Sequence, residues 1–200
     1  MQKILPFLLL AALPGAVLAF IPVTDCPTAK AGPDISICEG ESLTLAEAAA
    51  TNYTILLWTS SGKGSFDDPA SLNPTYKPNK KDLAAGSVSL TLTAVGAEGC
   101  PDAVSSIVVT FISAPRANAG GADAVRPGES YMLSYSIAEN YTGLTWSSSG
   151  TGFFNDFHDL HPTYTPSAED IRFGSVTLTL TATGKGKCPP AVSDMVLNIN

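Results

Sequence analysis

Both histidines of the 200-residue chain, His158 and His161, stand in one short stretch, Asp156-Phe-His-Asp-Leu-His161. Imidazoles three residues apart, beside the carboxylates of Asp156 and Asp159, are the beginning of a metal site. A third strong ligand is missing, and at the matching place earlier in the chain stand Ala70 and Asn73. The stretch therefore reads as a surface loop before Pro162. Phe153, Phe157, His158 and His161 make it the candidate binding loop, with Phe154 close by. Asp67, Asp68, Asp156 and Asp159 could offer oxygens to calcium, but the Asp-x-Asp-x-Asp-Gly spacing is lacking, and aspartate is a good turn residue. No nucleophile elbow, phosphate loop or His-Glu-x-x-His pattern is present. The expectation is a protein that is not an enzyme, with no catalytic residue, no cofactor and no metal.

The elements that carry these residues are strands. Gly86-Ser-Val-Ser-Leu-Thr-Leu-Thr-Ala-Val-Gly96 returns as Gly174-Ser-Val-Thr-Leu-Thr-Leu-Thr-Ala-Thr-Gly184. Val88, Leu90, Leu92 and Ala94 alternate with Ser89, Thr91 and Thr93, the period of a half-buried strand. The repetition extends over residues 31–112 and 119–200 without a gap, with about 39 of 82 pairs identical. That is two copies of one β-domain. Strands are predicted near 33–37, 42–47, 53–59, 64–67, 74–77, 86–95 and 104–112, with the same set in the second copy. Seven short strands punctuated by Gly and Pro predict an antiparallel sandwich of the immunoglobulin type. Trp58 and Trp146, with Tyr76 and Tyr164, are the expected core aromatics. No window outside the extreme N-terminus suits a helix.

Met1–Ala19 has an early cation, Lys3, then an apolar run ending in Val17-Leu18-Ala19, the form of a cleaved signal peptide. The expected organisation is signal peptide 1–19, extension 20–30, repeat 31–113, linker 114–118 and repeat 119–200. The mature chain is expected to be secreted, extracellular or at the cell surface, with no membrane insertion after cleavage. A net charge of -7 argues against nucleic acid, whose binding needs clustered cations. The cluster Lys77, Lys80 and Lys81 reads as a solvated loop. Asn52-Tyr-Thr54 and Asn140-Tyr-Thr142 match the N-glycosylation pattern.

Five blocks in fixed order carry a resemblance: Ala31-Gly-Pro-Asp…Ile-Cys-Glu-Gly-Glu41, Trp-x-Ser-Ser-Gly-x-Gly-x-Phe, Leu-x-Pro-Thr-Tyr-x-Pro, Gly-Ser-Val-x-Leu-Thr-Leu-Thr-Ala and Cys-Pro-x-Ala-Val-Ser. They resemble the PKD-like, Ig-like repeats of large Bacteroidota surface proteins, described as adhesins or as gliding-motility-associated. The resemblance implies a sandwich used as a stalk or adhesive module, with no catalytic residues to carry over. Those proteins are usually longer and end in a sorting domain. Here, too, Arg126 stands where the first copy has Cys38.

An exported chain with four cysteines should be oxidised, and three pairings are open. Cys38–Cys100 is the obvious one. Yet the second copy keeps Cys188, the equivalent of Cys100, and lacks the equivalent of Cys38. In a seven-strand sandwich, moreover, those two positions lie at opposite poles, beyond the ~7 Å Cα reach of a disulfide. The alternative is Cys26–Cys100 at the entry pole with Cys38–Cys188 across the junction, a long loop whose closure contributes about 4 kcal/mol in the chain-entropy model.

The function that follows is an exported structural or adhesive protein of rigid tandem repeats, meeting protein or glycan at the cell surface. One alternative is a filament subunit, self-associating by strand augmentation through an edge or the segment Phe20–Lys30. Another is a carbohydrate- or calcium-dependent binding module using the loops around Phe153–His161.

Overall fold

The computed structural model describes residues 25–200; the expected signal peptide 1–19, and the extension as far as residue 24, lie outside the described residues. Along the first repeat run β1 (Thr28–Lys30), β2 (Ile35–Cys38), β3 (Leu43–Thr44), β4 (Ala49–Thr51), β5 (Ile55–Ser60), β6 (Ser65–Phe66), β7 (Thr75–Lys77), helix α1 (Lys80–Ala85), β8 (Ser87–Val95) and β9 (Ala103–Ile112). The second repeat has β10 (Arg116–Asn118), β11 (Asp123–Val125), β12 (Tyr131–Met132), β13 (Ile137–Glu139), β14 (Gly143–Ser148), β15 (Phe153–Phe154), β16 (Thr163–Thr165), helix α2 (Ala168–Phe173), β17 (Ser175–Thr183) and β18 (Ala191–Ile199).

In each repeat one layer is a four-stranded sheet, ordered β2-β9-β8-β5 and β11-β18-β17-β14. The facing layer combines a three-stranded sheet, β3-β7-β6 or β12-β16-β15, with a two-stranded one, β1-β4 or β10-β13. Pairing is antiparallel except at one edge, where β2 lies parallel to β9 and β11 parallel to β18. The alternation along β8 becomes burial: Val88, Leu90, Leu92 and Ala94 are buried while Ser89, Thr91 and Thr93 are only half-buried. β17 repeats the pattern with Val176, Leu178, Leu180 and Ala182. These rows close on Trp58 and Tyr76 in one core and on Trp146 and Tyr164 in the other. Each fully buried large side chain contributes about 1.5–3 kcal/mol, so a core of this size is what holds a short-stranded sandwich.

Three features differ from the sequence expectation. Two helices of six residues occur where none was expected, and Lys80 and Lys81 lie in α1 rather than in a loop. A helix so short has no stability of its own, and its ends supply it. Asn79 and Ser167 cap the first turns in capping boxes closed by Asp82 and Asp170, and Gly86 and Gly174 end the helices at φ 78°. The expected strand 42–47 is shorter, because the chain turns after Thr44 and Ala48 N–H bonds Leu45 O at 3.3 Å before β4 starts. Strands also occupy Thr28–Lys30, inside the segment read as extension, and Arg116–Asn118, inside the segment read as linker. Alternation is invisible in three-residue strands such as these, and their pairing with β4 and β13 depends on distant residues.

Candidate functional site

Asp82 and Asp170 are 1% and 2% exposed, the only charged side chains among the buried described residues. An unpaired carboxylate there would be very costly, so each is fully satisfied. Asp82 Oδ1 accepts from Lys63 N–H at 2.6 Å, and Oδ2 accepts from the Tyr76 hydroxyl at 2.8 Å and Asn79 N–H at 3.1 Å. Asp170 accepts from Thr151 N–H at 2.9 Å, Gly152 N–H at 2.9 Å, the Tyr164 hydroxyl at 2.8 Å and Ser167 N–H at 2.9 Å. Ser60 and Ser148 complete the chain on the far side of each phenol, at 3.0 and 2.9 Å. Burial pushes both carboxyls up, and the hydrogen bonds pull them further down, so that each lies below the usual 3.8. Burial raises both tyrosines, Tyr164 to about 12, with the neighbouring aspartate adding to the rise. The arrangement pins the helix and the Ser-Ser-Gly-x-Gly turn to the sheet. It offers no nucleophile and no free base.

The glycines of that turn are explained by the same pin. A Cβ on Gly62 would strike Asp82 Oδ1, and one on Gly64 would lie 2.5 Å from the Tyr76 hydroxyl; Gly150 and Gly152 stand in the same relation to Asp170 and Tyr164. Tyr76 and Tyr164 were legible as core, but the two aspartates were not singled out. The available signal was their recurrence four residues after Pro78 and Pro166, three after a capping Asn or Ser.

The residues of the expected binding loop are placed differently from one another. Phe153 and Phe157 are 64% and 48% exposed. His158 Nδ1 lies 2.7 Å from Leu144 O, with its ring 4.2 Å from that of Phe157, and His161 Nε2 lies 3.1 Å from Ser136 O. The two imidazoles thus face different carbonyls and do not converge, and no cluster of three His, Cys, Asp or Glu suited to a metal exists among the described residues. The aspartates close turns: Asp156 Oδ1 accepts from His158 N–H at 2.9 Å, and Asp67 Oδ1 accepts from Thr75 N–H at 2.8 Å. Bonds from Thr75 N–H and then Asp68 N–H hold Asp67 below its ordinary value. Beside His158 opens a cleft of about 540 Å³, lined by Tyr141, Thr145, His158, Asp159 and Thr183 among others. The first repeat has exposed Ile55 and Leu57 at the matching positions, where the second has Gly143 and Thr145. The two sequon asparagines, Asn52 and Asn140, share φ 55°, a left-handed conformation that asparagine tolerates. Thr54 and Thr142 hydroxyls donate to Val95 O and Thr183 O, each at 3.2 Å, which accounts for the motif without a glycan.

A four-stranded sheet with one parallel edge pair, packed on a second sheet, with a tryptophan of its edge strand β5 or β14 buried between them, decides the fold. The chain is two tandem immunoglobulin-like β-sandwiches. No protein-family model and no curated protein sequence matches it. Among solved structures, it is similar to the I-band fragment I67–I69 of titin, at 16% identity over 88% of this chain and 66% of that one, TM-score 0.48. Sidekick-1 immunoglobulin domains 1–4 align at 13% identity over 88% and 49%, TM-score 0.47. Protocadherin gamma B2 extracellular cadherin domains 3–6 align at 15% over 87% and 47%, TM-score 0.42. The chain spans less than two thirds of each of these structures. Strand order and register, rather than these likenesses, define the sandwiches.

One of two disulfides joins the sandwiches to each other. Cys26 is bonded to Cys100 and Cys38 to Cys188, with Cα–Cα separations of 5.3 and 5.4 Å, and the described residues hold no free cysteine. Cys38 ends β2 in register with Ile112, the last residue of β9, so it lies at the pole where the chain crosses over. Cys100 lies in the loop before β9, at the opposite pole. Around the crossing, Asn140 Nδ2 donates to Ala114 O at 3.2 Å and Arg116 pairs with Glu39 at 3.7 Å. Gly184 admits Pro115, whose ring would stand 2.8 Å from a Cβ there. An open cleft of about 520 Å³ at the junction is lined by Glu39, Lys80, Phe111, Arg116 and Glu139 among others.

Proposed function

We propose that the chain is an exported, non-enzymatic structural or adhesive module of the cell surface, acting as a rigid spacer of two sandwiches. The observation that carries this reading is the Cys38–Cys188 bridge, which joins the repeats covalently across a connection of only Ser113-Ala-Pro115. Disulfides persist in oxidising compartments, which supports an extracellular place. A bridged junction with short linker contacts suits a rod better than flexible beads. Negative-stain electron microscopy of the oxidised protein tests it. Two-lobed particles with one inter-lobe angle are expected, and a broad spread of angles would overturn the spacer.

A second reading, binding of neutral sugars, is favoured by the cleft beside His158. Tyr141, an exposed aromatic, lines it together with the polar groups of Thr145, Asp159 and His158, and the exposed Phe157 packs against the His158 ring. Glycan arrays with and without calcium test it, binding that vanishes in Tyr141→Ala being the supporting outcome. Filament assembly by strand augmentation has less to draw on. At the edge strands β5 and β14, Trp58 N–H is already bonded to Pro69 O and Trp146 N–H to Phe157 O, each at 2.8 Å. Such caps blunt an edge against a neighbour.

A further inference from the structure

The Cys38–Cys188 bond closes a loop with a sequence separation of 150. Everything from β3 to β17, the connection between repeats included, lies inside that loop. We infer that the molecule is a load-bearing strap: tension entering on the N-terminal side of Cys38 and leaving on the C-terminal side of Cys188 bypasses the bulk of both sandwiches. This goes beyond the spacer reading and does not depend on what the surface binds.

The load path has two segments. The first runs from Cys26 to Cys38. Cys26 is bonded to Cys100 at the entry pole and Cys38 stands beside Ile112 at the junction pole, so this segment already crosses the first sandwich from end to end. The second runs from Cys188 along the nine residues of β18, which start beside the bridge and end where Ile199 pairs with Val125. A strand rises about 3.3 Å per residue, close to the ~3.3–3.6 Å limit of an extended chain. Pulling therefore finds little slack: the bend at Gly32, φ 109°, and the turn between Cys188 and Ala191. The hydrogen bonds joining β5, β8 and β9, and those joining β14 and β17, are not asked to bear the load.

Cys26–Cys100 is a second line of the same device. Were Cys38–Cys188 cut, tension would pass from Cys26 to Cys100 and along β9, and the loop of separation 74 would still be sheltered while the second sandwich took the force. The disulfides are thus ordered: one shelters both sandwiches, and the other shelters the first alone.

Single-molecule force spectroscopy on residues 25–200, with handles at the two ends, tests this. The oxidised protein should show no sandwich-unfolding step, its loaded path of about 27 residues being roughly six-fold shorter than the stretch between the handles. A thiol reductant added under force should then release about 500 Å in all at ~3.3–3.6 Å per freed residue, in two steps of about 250 Å where the loaded Cys38–Cys188 bridge is cut first and in a single step where the unloaded Cys26–Cys100 bridge is cut first. The variant Cys38→Ser/Cys188→Ser should unfold its second sandwich alone in a single step of about 250 Å. Should that variant fail to fold, the reductant experiment on the unaltered chain still decides. Unfolding steps of either sandwich in the oxidised chain, before reductant, would overturn the strap.

Discussion

The hydroxyl of Tyr76 donates to Oδ2 of Asp82 at 2.8 Å, and Tyr164 makes the same bond to Asp170 at the same distance. Six residues separate the partners in each repeat, and the intervening turn holds the helix cap. The pair holds the one charged side chain that each core buries among the described residues. Replacing Asp82 with Asn leaves buried donors facing an amide that can answer only some of them. A loss of about 2–4 kcal/mol of stability is expected for the first sandwich, against about 1–2 for Tyr76→Phe. Denaturant unfolding followed by tryptophan fluorescence measures both. Equal, negligible losses would contradict that role.

The same groups set the pH range. Asp82 and Asp170 have folded pKa values below the ordinary 3.8, so the stability they contribute is present above 3.8 and is lost as pH falls through the lower folded values. Tyr164 has the opposite sign. Its folded pKa of about 12 exceeds 10.0, so its contribution is present below pH 10 and is lost as pH rises towards 12. Thermal unfolding between pH 2 and 12 should show both shoulders. The acid one should flatten in a double variant carrying Asp82→Asn and Asp170→Asn.

Glycine in the Ser-Ser-Gly-x-Gly turn is a matter of space rather than of backbone freedom. Gly64→Ala puts a methyl 2.5 Å from the Tyr76 hydroxyl and Lys77 O, and should cost about 1–3 kcal/mol. Gly121→Ala, with nothing within 4 Å of the new methyl, should be close to neutral. Paired melting curves give the comparison.

The two tryptophans differ in a way that two copies of one sequence would not suggest. Trp58 Nε1 donates to Leu72 O at 3.4 Å, whereas in the second repeat the equivalent carbonyl, Leu160 O, accepts from Ser136 Oγ at 2.6 Å and Trp146 Nε1 has no partner. Ser136→Ala frees that carbonyl for the indole. Its cost should therefore stay below about 1 kcal/mol despite the lost bonds, and the indole N–H resonance of Trp146 should shift downfield in the NMR spectrum.

Peptide mapping of a non-reduced digest checks the covalent frame. Linked peptides containing Cys26 with Cys100 and Cys38 with Cys188 are expected. A peptide joining Cys38 to Cys100 would contradict the junction geometry.

Much of the architecture was legible in the sequence because it is periodic. Val88, Leu90, Leu92 and Ala94 alternate with hydroxylated residues, and strict alternation over nine residues leaves a strand one face to bury. The repeat itself fixed the number of domains, and the absence of Cys at Arg126 spoke against a bridge from Cys38 to Cys100, because a bridge inside one repeat should recur in the other. Tertiary structure alone decided the rest. β1 and β10 are three residues long and exist only because β4 and β13 come to them. Helices α1 and α2 persist because Asp82 and Asp170 are held from the far side by backbone N–H groups that folding brings near. His158 and His161, the most metal-like residues in the sequence, are turned to separate carbonyls by the loop that carries them. Spacing along the chain states which groups can meet, but hydrogen bonds and packing from distant strands choose the partner each one takes.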